Sequence, residues 1–191
     1  MSLPKSLFLA LFTLLTLACS PVLTHTALAP VARKTTGDIA VLTKADNMGS
    51  LAGFGSISPF AIPVCPVFLQ GDPEQDLMIQ LKAGLEHAGY TVKMVKNATE
   101  AGGQPVLSCR VNIVKFWNYT WLFPLVWNWG RFDVKLTLTA PKGEILWEKA
   151  YIAKAKGWYD FAPTVQRALT NLLDLMVKDL AENPPQLTAK A

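Results

Sequence analysis

Cys19 is the residue of this chain whose position most clearly predicts chemistry, because its thiol directly follows a segment with the features of an export signal. Lys5 supplies a short positive region, residues 7–18 form an uncharged apolar stretch, and the small Ala18 immediately precedes the cysteine. This order of features is typical of a secretory signal peptide. We therefore expect residues 1–18 to direct the chain out of the cytoplasm.

The four residues Thr16-Leu17-Ala18-Cys19 resemble the lipobox of bacterial lipoproteins, with Thr16 where that family usually has Leu. The resemblance implies that the Cys19 thiol receives a diacylglyceryl group, that residues 1–18 are cleaved off, and that Cys19 becomes an acylated N-terminus. Each buried CH₂ contributes ~0.8 kcal/mol, and stable attachment needs more than one chain. Ser20 stands where inner-membrane lipoproteins typically carry Asp, which implies the periplasmic face of the outer membrane.

Two other interpretations of the N-terminus stay open. A retained transmembrane helix needs ~20 apolar residues, and Pro21 follows a run shorter than that. An ordinary signal peptidase could cut after Ala27-Leu28-Ala29, although Pro30 would then follow the cut. We prefer the lipoprotein interpretation, in which membrane lipid is a partner through acylated Cys19.

Length and charge predict one exported domain without a nucleic-acid partner. The 191 residues carry 18 basic and 14 acidic side chains, a net charge of +4, and no basic run. Residues 19–36 are predicted to be a tether, 37–183 a single periplasmic domain, and 184–191 a polar tail. Cys65 and Cys109 form either a disulfide, as the oxidising periplasm permits, or two small buried thiols.

Two helices are predicted from clear end signals. Asp72 can cap the first, Pro73 suits its first turn, and Gly89 ends it. The second runs from about residue 161 to 182 with one apolar side and stops at Pro184-Pro185.

Alternating apolar residues predict strands over 38–43, 90–95, 106–117, 131–140 and 144–155. Prolines at 59, 63 and 66 favour an edge or irregular extended piece in residues 60–69. We therefore expect an α+β fold: two layers, a mostly antiparallel sheet of about 4–5 strands, and both helices on one face.

Four stretches, together with the lipobox, resemble the YajG-like periplasmic lipoproteins: LKAGLEHAGYTV at 81–92, VLSCRVNIV at 106–114, GEILWEKAY at 143–151 and the closing helix. The resemblance implies a non-enzymatic outer-membrane lipoprotein of uncharacterised role. An aromatic arm at residues 116–131 goes beyond this resemblance.

The arm is proposed as a membrane or partner contact through seven aromatic residues. These are Phe116, Trp117, Tyr119, Trp121, Phe123, Trp127 and Trp129. Pairing Ile113 with Phe132, Val111 with Val134 and Cys109 with Leu136 gives both flanking strands an apolar core face. Continued outward, that register puts Trp117, Tyr119 and Trp121 on the core side, and Phe116, Trp127 and Trp129 on the opposite side.

An arm that is apolar on both faces predicts an interaction site, because a sheet–helix interface buries only one face. Its partner is either lipid, to which Trp and Tyr are suited, or a protein, including a second copy. The alternative is a segment that folds back and fills the core.

No pattern for catalysis, a cofactor or a metal is evident. His25 and His87 lack neighbours at metal-ligand spacing, and Gly49 to Gly55 lacks the Lys of a phosphate loop. We expect a lipid-anchored module that acts by binding, as an accessory or structural part of an outer-membrane assembly. The alternatives are a lipid-handling accessory protein that uses the arm and an envelope enzyme with an unrecognised motif.

Overall fold

The computed structural model describes residues 37–48, 55–59, 65–66, 69, 71–122, 125–158 and 161–185. For residues 55–59, 65–66, 120–122 and 125 the description covers the backbone alone. The predicted signal peptide, Cys19, the tether at 19–36, Phe123 and the tail beyond residue 185 lie outside the described residues.

Seven strands, two α-helices and one 3₁₀ turn make up the described chain. In order they are β1 (Asp38–Leu42), β2 (Gly55–Pro59), β3 (Cys65–Pro66), α1 (Pro73–Ala88), β4 (Thr91–Val95), the 3₁₀ turn (Ala98–Ala101), β5 (Val106–Leu122), β6 (Leu125–Thr139), β7 (Ile145–Trp158) and α2 (Phe161–Glu182).

Both helices form where their end signals predict them. The Asp72 side chain accepts a hydrogen bond from the Gln75 backbone N–H, which satisfies one of the free donors at the start of α1. Gly89 ends α1 in a left-handed conformation with φ 104°, which costs little without a Cβ. The bounds predicted for α2 are confirmed.

The fold is α+β, as predicted, but the sheet is mixed rather than mostly antiparallel. β5, β6 and β7 form an antiparallel meander. The other edge of β5 pairs in parallel with β1 near its start and with β2 near its end. β1 also pairs in parallel with β4, which is possible because α1 carries the chain back between them.

The sequence patterns missed β2 because Gly55–Pro59 lies in a segment rich in glycine and serine, which lacks the apolar alternation of a strand. Its pairing with residues 116–120 of β5 supplies the backbone hydrogen bonds that define it. β3, which contains Pro66, is an edge strand that pairs with β2 alone among the described residues, as the proline positions predict.

Both helices pack on one face of the sheet, as predicted, and share one apolar core with it. The Tyr90 hydroxyl, at the end of α1, donates to the Leu180 carbonyl oxygen of α2 at 2.8 Å. Strand positions facing this core alternate with positions on the opposite face, so that Val134, Leu136 and Leu138 are buried while the residues between them are not.

Asp179 fastens α2 to β7. Partial burial disfavours its charged form, but hydrogen bonds from Lys149 (2.7 Å), Tyr151 (2.6 Å) and Asn183 (3.2 Å) outweigh that cost. The pKa of Asp179 therefore lies below its ordinary value. The resulting stabilisation is present above the ordinary carboxyl pKa and is lost in acid.

A β-bulge in β5 changes the register predicted for the arm. Cys109 pairs with Leu136 and Val111 with Val134, as predicted, but Ile113 pairs with Asp133 and Val114 with Phe132. Asn112 is the extra residue, and the residues from Val114 to Tyr119 point to the face opposite the one that a continuous ladder would give.

The disulfide considered between Cys65 and Cys109 is not formed, because Cys109 is a free, buried thiol. Cys65 pairs with Ile57, which pairs with Asn118 of β5. Nine positions of β5 separate Asn118 from Cys109, a distance of ~30 Å along a strand. A disulfide needs Cα atoms within ~7 Å, so strand pairing excludes the bridge.

Cys109 should be protected from alkylation in the native protein. In a chain carrying Cys19→Ala and Cys65→Ser, Cys109 is the remaining thiol. Burial raises the pKa of this thiol to about 12, and the thiolate is the reactive form. We expect iodoacetamide to modify it in guanidinium chloride and not in buffer, as measured by intact mass.

The matching test of the bridge uses the Cys19→Ala chain purified from the periplasm without reductant. Its mass should correspond to two free thiols. A mass lower by two hydrogens would contradict the strand pairing described above.

Candidate functional site

The bulge turns over the β5 part of the arm relative to the sequence prediction. Phe116 is fully buried on the core face, so its assignment as a contact residue was wrong. Trp117 and Tyr119, predicted on the core side, lie on the face opposite the helices. Trp127 and Trp129 lie on that opposite face, as predicted. The side chain of Trp121 and the whole of Phe123 are outside the described residues.

Two cross-strand rows collect aromatic side chains on this opposite face. Tyr119 pairs with Trp127, which pairs with Trp158. Trp117 pairs with Trp129 in the adjacent row. We call Trp117, Tyr119, Trp127, Trp129 and Trp158 the aromatic face. Among the described residues both helices lie on the other side of the sheet; of these five side chains Trp158 is exposed and the other four are partly buried.

Three of the five rings of the aromatic face are stacked. The Trp117 and Tyr119 rings are stacked with centroids 6.0 Å apart, and the Tyr119 and Trp127 rings with centroids 5.8 Å apart. Such pairs contribute ~0.5–1.5 kcal/mol each beyond their buried area. Trp158, at the margin of the aromatic face, is 60% exposed.

Trp158 is a member of the site that the sequence reasoning missed. The predicted strand ended at residue 155, whereas β7 continues to Trp158. The signal was present in the sequence, because Lys154, Lys156 and Trp158 continue a two-residue alternation with small residues between them.

A row of basic side chains adjoins the aromatic face. Lys115 pairs with Arg131, and Arg131 pairs with Lys154, so three cations lie side by side across three strands. Lys156 pairs with Trp129 and so lies in the row of Trp117 and Trp129. Its Nζ is 5.8 Å from the centroid of the Trp127 ring, a cation–π contact. We call Lys115, Arg131, Lys154 and Lys156 the basic row.

The positive charge of the basic row exceeds the negative charge of the acidic side chains paired with it. The Arg131 guanidinium forms an ion pair with Asp133 at 3.2 Å. Lys115, Lys154 and Lys156 are exposed, and within the described part of the chain none of them forms an ion pair. Like charges opposite one another on neighbouring strands destabilise a sheet. The row is therefore an electrostatic conflict within the domain.

The packing on the core side of the arm allows α2 to lie close to the sheet. Phe116 packs edge-on against Phe132 and Phe161, with centroids 5.4 and 6.3 Å apart. A Cβ on Gly130 would lie 3.0 Å from the Phe116 ring and 3.3 Å from Ala168 of α2. Glycine at position 130 thus lets the start of α2 cover this end of the sheet.

The described residues contain neither a group of side chains arranged to bind a metal ion nor a helix long and apolar enough to cross a membrane. The arrangement of side chains at the aromatic face suits binding through apolar rings and positive charge.

The chain matches no protein-family model. It also matches no curated protein. Its fold is similar to that of a Xanthomonas campestris protein of the family DUF330, with a TM-score of 0.55, 9% identity, and coverage of 85% of this chain and 91% of that one. At this identity the similarity shows a shared fold.

Two weaker similarities are to a neuraminyllactose-binding hemagglutinin homologue from Helicobacter pylori and a minor lipoprotein from Acinetobacter baumannii. The first has a TM-score of 0.46 and 15% identity, and covers 83% of this chain and 92% of that one. The second has a TM-score of 0.45 and 13% identity, and covers 84% and 100%. Both are too weak to support an inference about this chain.

The two sides of the arm should respond differently to truncation. Phe116→Ala removes a ring from the closed core, and we expect it to lower the free energy of unfolding by ~3–5 kcal/mol. Trp129→Ser removes a half-buried ring from the uncovered face and should cost about 1 kcal/mol. Urea denaturation followed by circular dichroism measures both. A larger loss for Trp129→Ser than for Phe116→Ala would show that the aromatic face is core.

Proposed function

We propose that this chain is a lipid-anchored periplasmic module that acts by binding, as an accessory or structural part of an outer-membrane assembly. Its contact surface is the aromatic face. The observation that carries the proposal is that five aromatic side chains share one side of the meander while both helices pack on the other.

The physical reason is the cost of leaving such a surface in water. Contiguous apolar surface on a domain generally marks an interaction site. Trp and Tyr dominate the energetics of protein contacts, because each presents a large rigid ring that also carries one polar group. The stack Trp117–Tyr119–Trp127 is already ordered, so binding does not have to fix these rings.

The anchor of the proposed module is Cys19. The lipobox resemblance supports acylation of its thiol, and Ser20 supports the outer membrane as the destination. The tether of residues 19–36 then joins the acylated N-terminus to β1. This arrangement suits a module that stays at the membrane and presents a binding surface.

Replacing Cys19 tests the anchor. Cys19→Ala removes the thiol that takes the diacylglyceryl group, so metabolic labelling with a fatty-acid probe should be lost. After a high-salt wash, the variant should also leave the membrane fraction, whereas Cys65→Ser should behave as the wild type. Undiminished labelling of Cys19→Ala would exclude this residue as the acylation site.

Replacing two rings tests the contact surface. We expect the acylated chain, extracted in mild detergent, to co-purify with an envelope component that Trp127→Ser/Trp129→Ser loses. Ile145→Ser is the matched control, since Ile145 is 59% exposed on β7 far from the aromatic face. Quantitative mass spectrometry compares the three preparations.

Loss of the same component from the Ile145→Ser preparation, or its retention by the double variant, would show that binding does not use the aromatic face. Circular dichroism spectra that show all three proteins to be folded are required for the comparison.

A further inference from the structure

We propose that the aromatic face and the basic row dock on the surface of an anionic lipid bilayer. The proposal deepens and rests on the proposed function, because it names the occupant of the same surface. Three features of the described residues carry it: the kind of aromatic residue, the uncompensated charge, and the order of the two along the strands.

The aromatic residues are of the type that membrane interfaces select. Four of the five rings are tryptophan and the fifth is tyrosine, whereas Phe116 and Phe132, the phenylalanines of this region that the structure describes, are buried in the core. Trp and Tyr concentrate where an apolar medium meets water, because the ring prefers the first and the N–H or O–H the second.

The positive charge indicates an anionic occupant. Lys115, Arg131 and Lys154 oppose one another across three strands, with Asp133 as the acidic partner of Arg131. A layer of lipid phosphates would supply counter-charge to all three cations, and would relieve the repulsion that the row builds into the sheet.

The order of the rows matches the depth profile of a bilayer surface. The row of Tyr119, Trp127 and Trp158 comes first, and the row of Trp117, Trp129 and Lys156 comes second. The row of three cations, Lys115, Arg131 and Lys154, follows. Beyond it lie side chains that are paired within the domain, such as Lys135 with Glu148. Successive rows are ~7 Å apart along the strands. Rings at the acyl boundary would therefore leave the cations at the level of the phosphates.

The tether is long enough for this pose. β1 pairs with the first residues of β5, Ala40 beside Val106, so the tether joins the end of the sheet remote from the aromatic face. Thirteen residues of β5 separate Val106 from Tyr119, ~43 Å along a strand. Residues 19–36 span up to ~60 Å when extended, so an anchored N-terminus and a docked face are compatible.

Vesicle flotation of the mature chain, residues 19–191 with Cys19→Ala, tests the docking without the acyl anchor. We expect binding to phosphatidylcholine vesicles that contain phosphatidylglycerol and at least tenfold weaker binding to phosphatidylcholine alone. Binding should also weaken as salt rises, because the Debye length falls to ~3 Å at 1 M. Brominated acyl chains in the vesicles should quench tryptophan fluorescence.

Two matched pairs of variants separate the surface from general effects. Lys115→Gln/Lys154→Gln/Lys156→Gln should weaken binding about 100-fold, at about fivefold per lysine. Lys82→Gln/Lys96→Gln/Lys142→Gln removes the same net charge elsewhere and should change it less than threefold. Trp127→Ser/Trp129→Ser should abolish binding, and Ile145→Ser should preserve it. Circular dichroism spectra confirm that each variant is folded.

Three results would overturn the proposal: equal loss in the two lysine triples, equal binding to neutral and anionic vesicles, or no binding to either. Self-association that Trp127→Ser/Trp129→Ser removes, without vesicle binding, would assign the face to a second copy instead. The result of the co-purification experiment is independent of these vesicle experiments. A component lost only from the ring variant would keep the proposed function while this occupant is rejected.

Discussion

One extra residue in β5 determines which side of the sheet presents Phe116, Trp117 and Tyr119. Before Asn112 the ladder with β6 alternates as apolar patterning predicts, and after it the alternation is reversed. The backbone is held there from the other edge of β5. Val111 donates to the Asp46 carbonyl oxygen at 2.9 Å, and the Asn47 amide donates to the Val111 carbonyl oxygen at 3.0 Å. The segment after β1 thereby fixes the position of the bulge.

This reversal sorts the aromatic residues by chemistry. Phe116, which has no polar atom, turns inward and packs under α2 with Phe132, where Gly130 leaves room for its ring. Trp117 and Tyr119, which each carry a hydrogen-bonding group, turn outward and join Trp127 and Trp129, which face that side in either register. A continuous ladder would have buried Trp117 and Tyr119 and exposed Phe116. The bulge thus gives a closed core on one side and a polar-edged aromatic surface on the other.

The same geometry separates the apolar core of this domain from the proposed contact surface. The two helices, β1 and the core face of the meander form one apolar cluster that does not depend on the aromatic face. The outer face instead combines stacked rings with three aligned cations, an arrangement that serves the isolated domain poorly. Local conflicts of this kind in an otherwise consistent sheet are expected at functional surfaces.

The sequence by itself determined the helices, because capping residues and a 3.6-residue apolar period act locally: Asp72, Gly89 and the face of α2 suffice. It also determined most strands and the pairing of Cys109 with Leu136. Only the tertiary structure decided the parallel pairings, the strand at Gly55–Pro59 and the free thiol of Cys109, because these depend on contacts between distant segments. It also decided the faces of Phe116, Trp117 and Tyr119, since period-two patterning carries no signal for one inserted residue fixed by Asp46 and Asn47.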